Sequence, residues 1–586
     1  MNRNTEQHFA ELPSVNIGRS KFDRSFTHKT SFNTGELVPI YVDMDIVPGD
    51  TVTMKQSELI RMTTPIVPVM DNCYMDMYWF FVPDRLVMTD FKKMMGENET
   101  APWTQTVDVN IPQAQCDSSG LTHKIEKGSV LNHMGIPIQN WSSASAGSPD
   151  YKEIRFSQLP PRAYCLIWNE FFRDENLQNP VNISKGNTTE VVINTKVNTW
   201  ATDPEATQVT YAYRGGLPCL KVCKPHDYFT SALPGAQKGP AVKIPLSEDW
   251  APVSFHEHYA DTSTQGLTGY DKLTDYNKPA YIERQSNTLG GDIILATDPV
   301  KSTTYTFDPV PPTDERGRTN IYSLATDLTQ VTGATVTALR QAFAIQKFYE
   351  RDARGGTRYI ESVKSHFGVT NPDFRLQRPE YLGGFRQNIN MNQVVQTTPL
   401  IDAQSTPLGA TGAYSVTSNQ NPDVFTHSFT EHGILMGLIC VRTDHSYAQG
   451  INRAWFKKSR LDFYSPEFAN LSEQAILNQE IYAQGTSADK EAFGYQEAWA
   501  EMRYMPDLVT GELSPNYSTS LKYWTYVDEY SQLPSLGNKW IQEPKENLAR
   551  TLAIQNQDQF IADFYFGAIY TRPMPLYSVP GLIDHH

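Results

Sequence analysis

The sequence predicts a mainly β protein, a Greek-key sandwich or jelly roll with long inter-strand connections, a few short helices and one large insertion. Three observations predict it. Dense apolar, β-prone runs stand near both ends of the chain, at 37–46, 73–82, 433–441 and 560–570. The connections between them are long. Helical periodicity is brief and does not alternate regularly with strands, as repeated βαβ units would require.

Taken in order, the chain opens with a basic, polar segment. Arg3, Arg19, Lys21, Arg24 and Lys29 supply cations, the last four among Ser, Thr, Asn and His with only Asp23 opposing them. A segment of this composition gains little by packing and is expected to lie along a partner as an arm over 1–30. Residues 37–46 follow as a strand, bounded by Gly35 and the turn Pro48, Gly49, Asp50. The run 73–82 carries Tyr74, Tyr78, Trp79, Phe80 and Phe81, ends at Pro83, and is bulky enough to need cover on both faces.

Short helices are expected at 89–95 and at 163–172, the second after Pro160 and Pro161. From 176 to 330 Thr, Asn, Asp, Pro and Gly punctuate the chain every few residues, the texture of a loop excursion or small β subdomain. Val336, Leu339, Ala342, Phe343 and Gln346 then recur at helical spacing over 335–352, and Gly355 and Gly356 stop the helix. Residues 389–421 read as polar loop, before the apolar strand 433–441 and a last strand at 560–570. This division gives a discontinuous main domain, 31–175 with 331–586, around an insertion at 176–330.

Composition excludes several function classes. The chain has 586 residues, 39% hydrophobic and 11% aromatic, enough for a large core. Its net charge of -15 argues against coating nucleic acid over the whole surface but leaves room for a local basic patch. The longest apolar runs fall far short of the roughly 20 residues that cross a bilayer, so no membrane insertion is expected. The first twenty residues lack the apolar centre of a secretory signal, which points to a cytoplasmic origin. Six scattered cysteines read as reduced thiols.

Motifs for catalysis are absent: there is no nucleophile elbow, no phosphate loop and no dinucleotide fingerprint, so no enzyme and no cofactor are expected. Cys219, Cys223 and His226 lie close in sequence, but their loose spacing between Pro218 and Pro225 favours an irregular loop over a metal site. His256 and His258 flank Glu257 without the helical spacing of a zinc protease. Arg351, Arg354, Arg358 and Tyr359 surround a glycine turn. They fit either a helix end stabilised by cations or a contact with a partner subunit or phosphate. Arg378 and Tyr381 continue this mixture of Arg, Gly and aromatic residues, which is common at protein interfaces.

The blocks FDRSFTHKTSFNTGELVPIYVDMDIVPGD, TPIVPVMDNCYMDMYWFFVPDRL, QKFYERDARGGTRYIESVKSHFGVTNPDFRLQRPEYLGG and MPDLVTGEL resemble, in the same order, segments of the major capsid proteins of microviruses, especially gokushoviruses. The resemblance implies an eight-stranded viral jelly roll that assembles with identical subunits into a T=1 icosahedral shell around circular single-stranded DNA. It also implies that the insertion projects outward, and an outward loop on a closed scaffold is the natural place for contact with a host surface receptor. Implied partners are an internal scaffolding protein, a DNA pilot protein and a small basic DNA-binding protein. On this reading Arg3, Arg19, Lys21, Arg24 and Lys29 either touch DNA or lace the arm beneath neighbouring subunits. Arg351, Arg354, Arg358, Tyr359, Arg378 and Tyr381 are candidate subunit contacts. A β-sandwich that binds or cleaves glycans, and an outer spike or fibre protein, are the competing readings.

Overall fold

A computed structural model describes residues 18–97, 109–118, 125–187, 190–191, 209–210, 217–239, 253–260, 281–284, 293–296, 319–326, 336–355, 358–370, 372–389, 392–395, 411–415, 417–469 and 471–577. The chain divides into two compact units, one made of 1–238 with 350–586 and the other of Gly239–Tyr349.

The larger unit is built on two antiparallel sheets. Its strands in chain order are β1 (Ser20–Asp23), β2 (Phe26–Phe32), β3 (Val38–Ile46), β4 (Thr51–Met62), β5 (Cys73–Pro83), β6 (Glu380–Asn388), β7 (Thr417–Ser428), β8 (Gly433–Thr443) and β9 (Phe560–Arg572). One sheet runs β1 and β2, then β9, β4, β7; the other runs β6, β5, β8, β3. The chain changes sheet at every connection from β2 to β9 except between β5 and β6, which are neighbours. With β1 and β2 counted as one interrupted strand, this is the eight-stranded jelly-roll order. The long excursion, including the second unit, enters through the single β5–β6 connection.

Alternation explains which residues face inward. In β9, Phe560, Ala562, Phe564, Phe566, Ala568 and Tyr570 are buried, while Ile561, Tyr565 and Ile569 are exposed. Across the sandwich Tyr41, Trp79 and Phe566 meet with ring centroids 5.0–5.8 Å apart. Strands β5 and β8 are buried along nearly their whole length. Their outer face is covered in part by α1 (Leu159–Ile167) and the wider turn Trp168–Phe172, which places Phe171 4.7 Å from Phe80. Pro160 and Pro161 do not precede this helix but lie inside its first turn, where a missing N–H leaves no helical bond unmade.

The structure corrects the sequence reading in three places. Residues 20–32 are not an arm but the split edge strand of a sheet, paired with β9 from Ser20↔Arg572 to Phe32↔Phe560. The polar stretch ending at 421 contains the start of β7, an edge strand that tolerates Pro422 because its register shifts between Asn421 and Phe425. Residues 217–238, grouped by texture with the excursion, belong to the larger unit, where Leu217, Leu220 and Val222 join the main core. In the second unit Val253–Ala260 pairs with Thr319–Thr326, and Tyr281–Arg284 with Ile293–Ala296, both antiparallel.

Candidate assembly and nucleic-acid-binding residues

The first basic segment owes its shape to the break between β1 and β2. The Asp23 carboxylate accepts the Ser25 N–H at 3.0 Å, and the Arg24 N–H donates to the Ala568 carbonyl at 2.9 Å. Arg24 Nη1 is thereby brought to the buried Asp43 carboxylate, 2.5 Å away, and its guanidinium lies 4.8 Å from the Tyr570 ring centroid. Arg572 lies 4.7 Å from the same centroid and places Nε 3.1 Å from the buried Asp50. Tyr41 and Tyr570 share a hydroxyl hydrogen bond of 2.6 Å. Burial acts against the Arg24 charge, but Asp43 together with the Tyr570 and Tyr41 phenols outweighs it and raises the pKa. Burial also pushes the Tyr41 phenol up to about 12. Arg24 is therefore committed to its own fold.

The neighbouring cations differ from one another. Arg19 donates to the Gly49 carbonyl. Lys29 is 75% exposed and 3.7 Å from Asp563, directly across from it on β9. Lys21 is exposed and has no ion pair among the described residues. Arg3 lies outside the described residues.

The second group of candidates splits in the same way. Arg351 and Arg354 end α2 (Val336–Gly355), and Arg358 caps α3 (Tyr359–Phe367). Arg358 is largely buried: Nη1 lies 2.8 Å from Glu175 and 3.1 Å from Glu361, while Nη2 donates to the carbonyls of Asn169 and Arg173. Arg354 Nε reaches the buried Glu473 at 2.5 Å. Arg378 donates to the Glu170 carbonyl at 3.1 Å and lies 4.2 Å over the Phe171 ring. These three arginines fasten connecting segments to the larger unit. Arg351 is exposed, Tyr359 is 71% exposed, and Tyr381 is 45% exposed although its ring meets Phe80.

Cys219 and Cys223 do not converge. The first thiol is nearest the Gly128 carbonyl, the second the Gln178 side chain. Burial pushes both thiols upward, Cys223 to about 12, so they are poor thiolates. Among the described residues no group of three or more His, Cys, Asp and Glu could hold a metal. His256 and His258 lie on one strand of the second unit, opposite Ser323 and Ile321.

Two polar features escaped the sequence reading. One is a buried charge cluster. His445 Nδ1 is 3.0 Å from Asp528 and its Nε2 2.9 Å from Glu543, with all three side chains at most 3% exposed. Lys224 Nζ reaches Asp528 at 2.8 Å and sits 4.6 Å from the Trp540 centroid. Burial opposes the imidazolium, but the Glu543 and Asp528 carboxylates outweigh it and push His445 up to about 10. Burial likewise opposes the Asp528 charge, yet His445 and Lys224 hold its pKa well below the usual range. The other feature is the run Arg453 to Tyr464, in which basic and aromatic residues interleave; that composition was the available signal.

The jelly-roll strand order is shared by viral capsid, lectin and cupin domains, so the fold alone leaves the role open. A sequence model of the capsid protein (F protein) family matches residues 10–582. The chain belongs to this phage capsid family. Capsid protein VP1 of Bdellovibrio phage phiMH2K is 37% identical to it over 593 residues, covering 99% of this chain and 98% of that protein. Capsid protein VP1 of Chlamydia phage 1 is 35% identical, covering 98% and 97%, and that of Spiroplasma virus 4 is 36% identical, with the same coverage. The chain is thus a capsid protein of the microvirus type, a virion component that assembles with identical subunits, and not an enzyme. Among the described residues no helix is long and apolar enough to cross a membrane.

Proposed function

We propose that copies of this chain close into a T=1 icosahedral shell around a circular single-stranded DNA genome, with the internal scaffolding, DNA pilot and small basic DNA-binding proteins as partners during assembly in the host cytoplasm. The observation that carries this reading is the set of large apolar side chains left exposed on the connections of the larger unit: Tyr359 at 71%, Phe367 at 79%, Met505 at 79% and Leu508 at 77% exposure. Apolar surface of this kind is stable when another subunit covers it. Closure then follows from symmetry, because each patch recurs on every copy. Arg351, Tyr359 and Tyr381 remain the candidates for subunit contact, and Lys21 and Lys29, with Arg3, for contact with DNA. The excursion between β5 and β6 is suited to outward display and host attachment, because a closed sandwich tolerates long loops without loss of its core.

The test is co-expression with the scaffolding protein, followed by light scattering, negative-stain microscopy and nuclease digestion. Closed isometric particles holding nuclease-protected circular single-stranded DNA are expected. A uniformly monomeric product under these conditions would overturn the proposal.

A further inference from the structure

The turn at 453–464 carries exposed rings and exposed cations beside a cleft. Trp455 is 83% exposed and Phe463 59% exposed. Lys458 and Arg460 are exposed and pair with no carboxylate among the described residues, while Lys457 lies 5.3 Å from the Phe463 centroid. The same turn contributes Phe456, Lys457 and Leu461 to the wall of a cleft of about 420 Å³ that Trp499 also lines.

Local hydrogen bonds build this shape in advance. The Asn452 side chain accepts the Ala454 N–H at 2.9 Å, starting the short turn Arg453–Phe456. One Asp462 oxygen accepts the N–H groups of Lys458 and Ser459 at 2.8 and 2.7 Å and the Ser459 hydroxyl at 3.0 Å. The only carboxylate within the run is thus occupied with the backbone. Arg453 pairs with Glu480 at 3.1 Å and with Glu501, which lines the cleft, at 4.0 Å. What remains facing outward is cationic and aromatic, on a chain whose net charge is -15.

We propose that this turn is a platform for single-stranded nucleic acid, on which bases stack against Trp455 and Phe463 while Lys457, Lys458 and Arg460 meet phosphates. Exposed rings beside unpaired cations suit unstacked bases, because every base presents a π-face and every linkage a negative charge. A duplex hides those faces. A polyanion is favoured over a second copy of this acidic chain by charge complementarity. Preformed turns limit the ordering lost on binding. The inference rests on the reading that the shell encloses single-stranded DNA.

The experiment measures binding of labelled oligo(dT) and of a duplex of equal length to the full chain across a salt series, alongside the DNA content of particles. Oligo(dT) binds more tightly than duplex. Trp455→Ala weakens it roughly ten- to a hundred-fold, and Trp455→Phe recovers most of the loss. The triple variant Lys457→Ala, Lys458→Ala, Arg460→Ala lowers the salt slope by about 2. Thermal melts confirm that these surface variants fold. Equal affinity for duplex, or unchanged affinity in both variants, would overturn the platform. So would variants that lose particle assembly but keep oligonucleotide affinity, since the turn would then join two copies of the chain. Particles with normal DNA content and variants of unchanged affinity would sink the platform alone; particles empty of nuclease-protected DNA would sink the enclosing function instead.

Discussion

The charges around Asp528 and those of the turn at 453–464 lie in the same unit and face opposite fates. His445, Lys224, Asp528 and Glu543 bury their side chains almost completely and satisfy one another. Lys458 and Arg460 stand in solvent beside Trp455. Both regions are rich in ionisable residues, so charge content does not separate them. Burial does: a charge out of water must find its partner within the chain, while an exposed one keeps its capacity for a partner outside.

The largest effect that would break this contrast is His445→Ala. It leaves the Asp528 and Glu543 carboxylates buried without the cation between them, and the expected loss is about 3–5 kcal/mol in chemical denaturation. The pH dependence sharpens the same point. Because the folded pKa of His445 is raised to about 10, its contribution is complete below the ordinary value of 6.5 and is lost as pH rises through about 10. Within that window stability should fall by about 1.4 kcal/mol per pH unit from this group. A denaturation midpoint independent of pH between 7 and 10 would contradict the assignment.

An intermediate effect is expected at Asp43, whose carboxylate faces Arg24 at 2.5 Å and Arg572 at 4.0 Å. Asp43→Asn leaves Arg24 over the Tyr570 ring but without its counter-charge. The expected loss is about 1–3 kcal/mol, less than at His445 because Arg24 is 36% exposed and water recovers part of it. Equal destabilisation by the two variants would erase the distinction between a half-solvated pair and a buried one.

These cases also show what was legible in the sequence. The strands Cys73–Pro83, Gly433–Thr443 and Phe560–Arg572 were visible because their apolar residues are contiguous or alternate within a dozen positions. Thr417–Ser428 was not, because an edge strand carries polar residues and is defined by pairing with Thr51–Met62, hundreds of residues away. The cations of the first segment were visible, but their meaning depended on Asp43 and on Tyr570, which arrives with the last strand. Arg358 and Arg378 repeat the lesson: the Arg-rich composition was apparent, and the carbonyls of Asn169, Arg173 and Glu170 that occupy them were not. The 453–464 turn was the reverse case, a local pattern of rings and cations that could have been read directly.

The smallest effect on the fold is expected at Lys21 and Lys29, and there the contrast is most useful. Both are exposed residues of the split edge strand, and among the described residues Lys29 has only the half-exposed Asp563 at 3.7 Å. Surface pairs of this geometry contribute little to stability, so Lys21→Ala with Lys29→Ala should leave the thermal midpoint of the subunit unchanged. If these lysines serve a partner, the loss appears only where the partner is present, as lower DNA content or lower particle yield. Lower DNA content at normal yield assigns them to the genome, and lower yield at normal DNA content per particle assigns them to neighbouring subunits. Unchanged values for both would remove the edge strand from the binding surface and leave its basic charge as a solvated edge that discourages strand-to-strand aggregation.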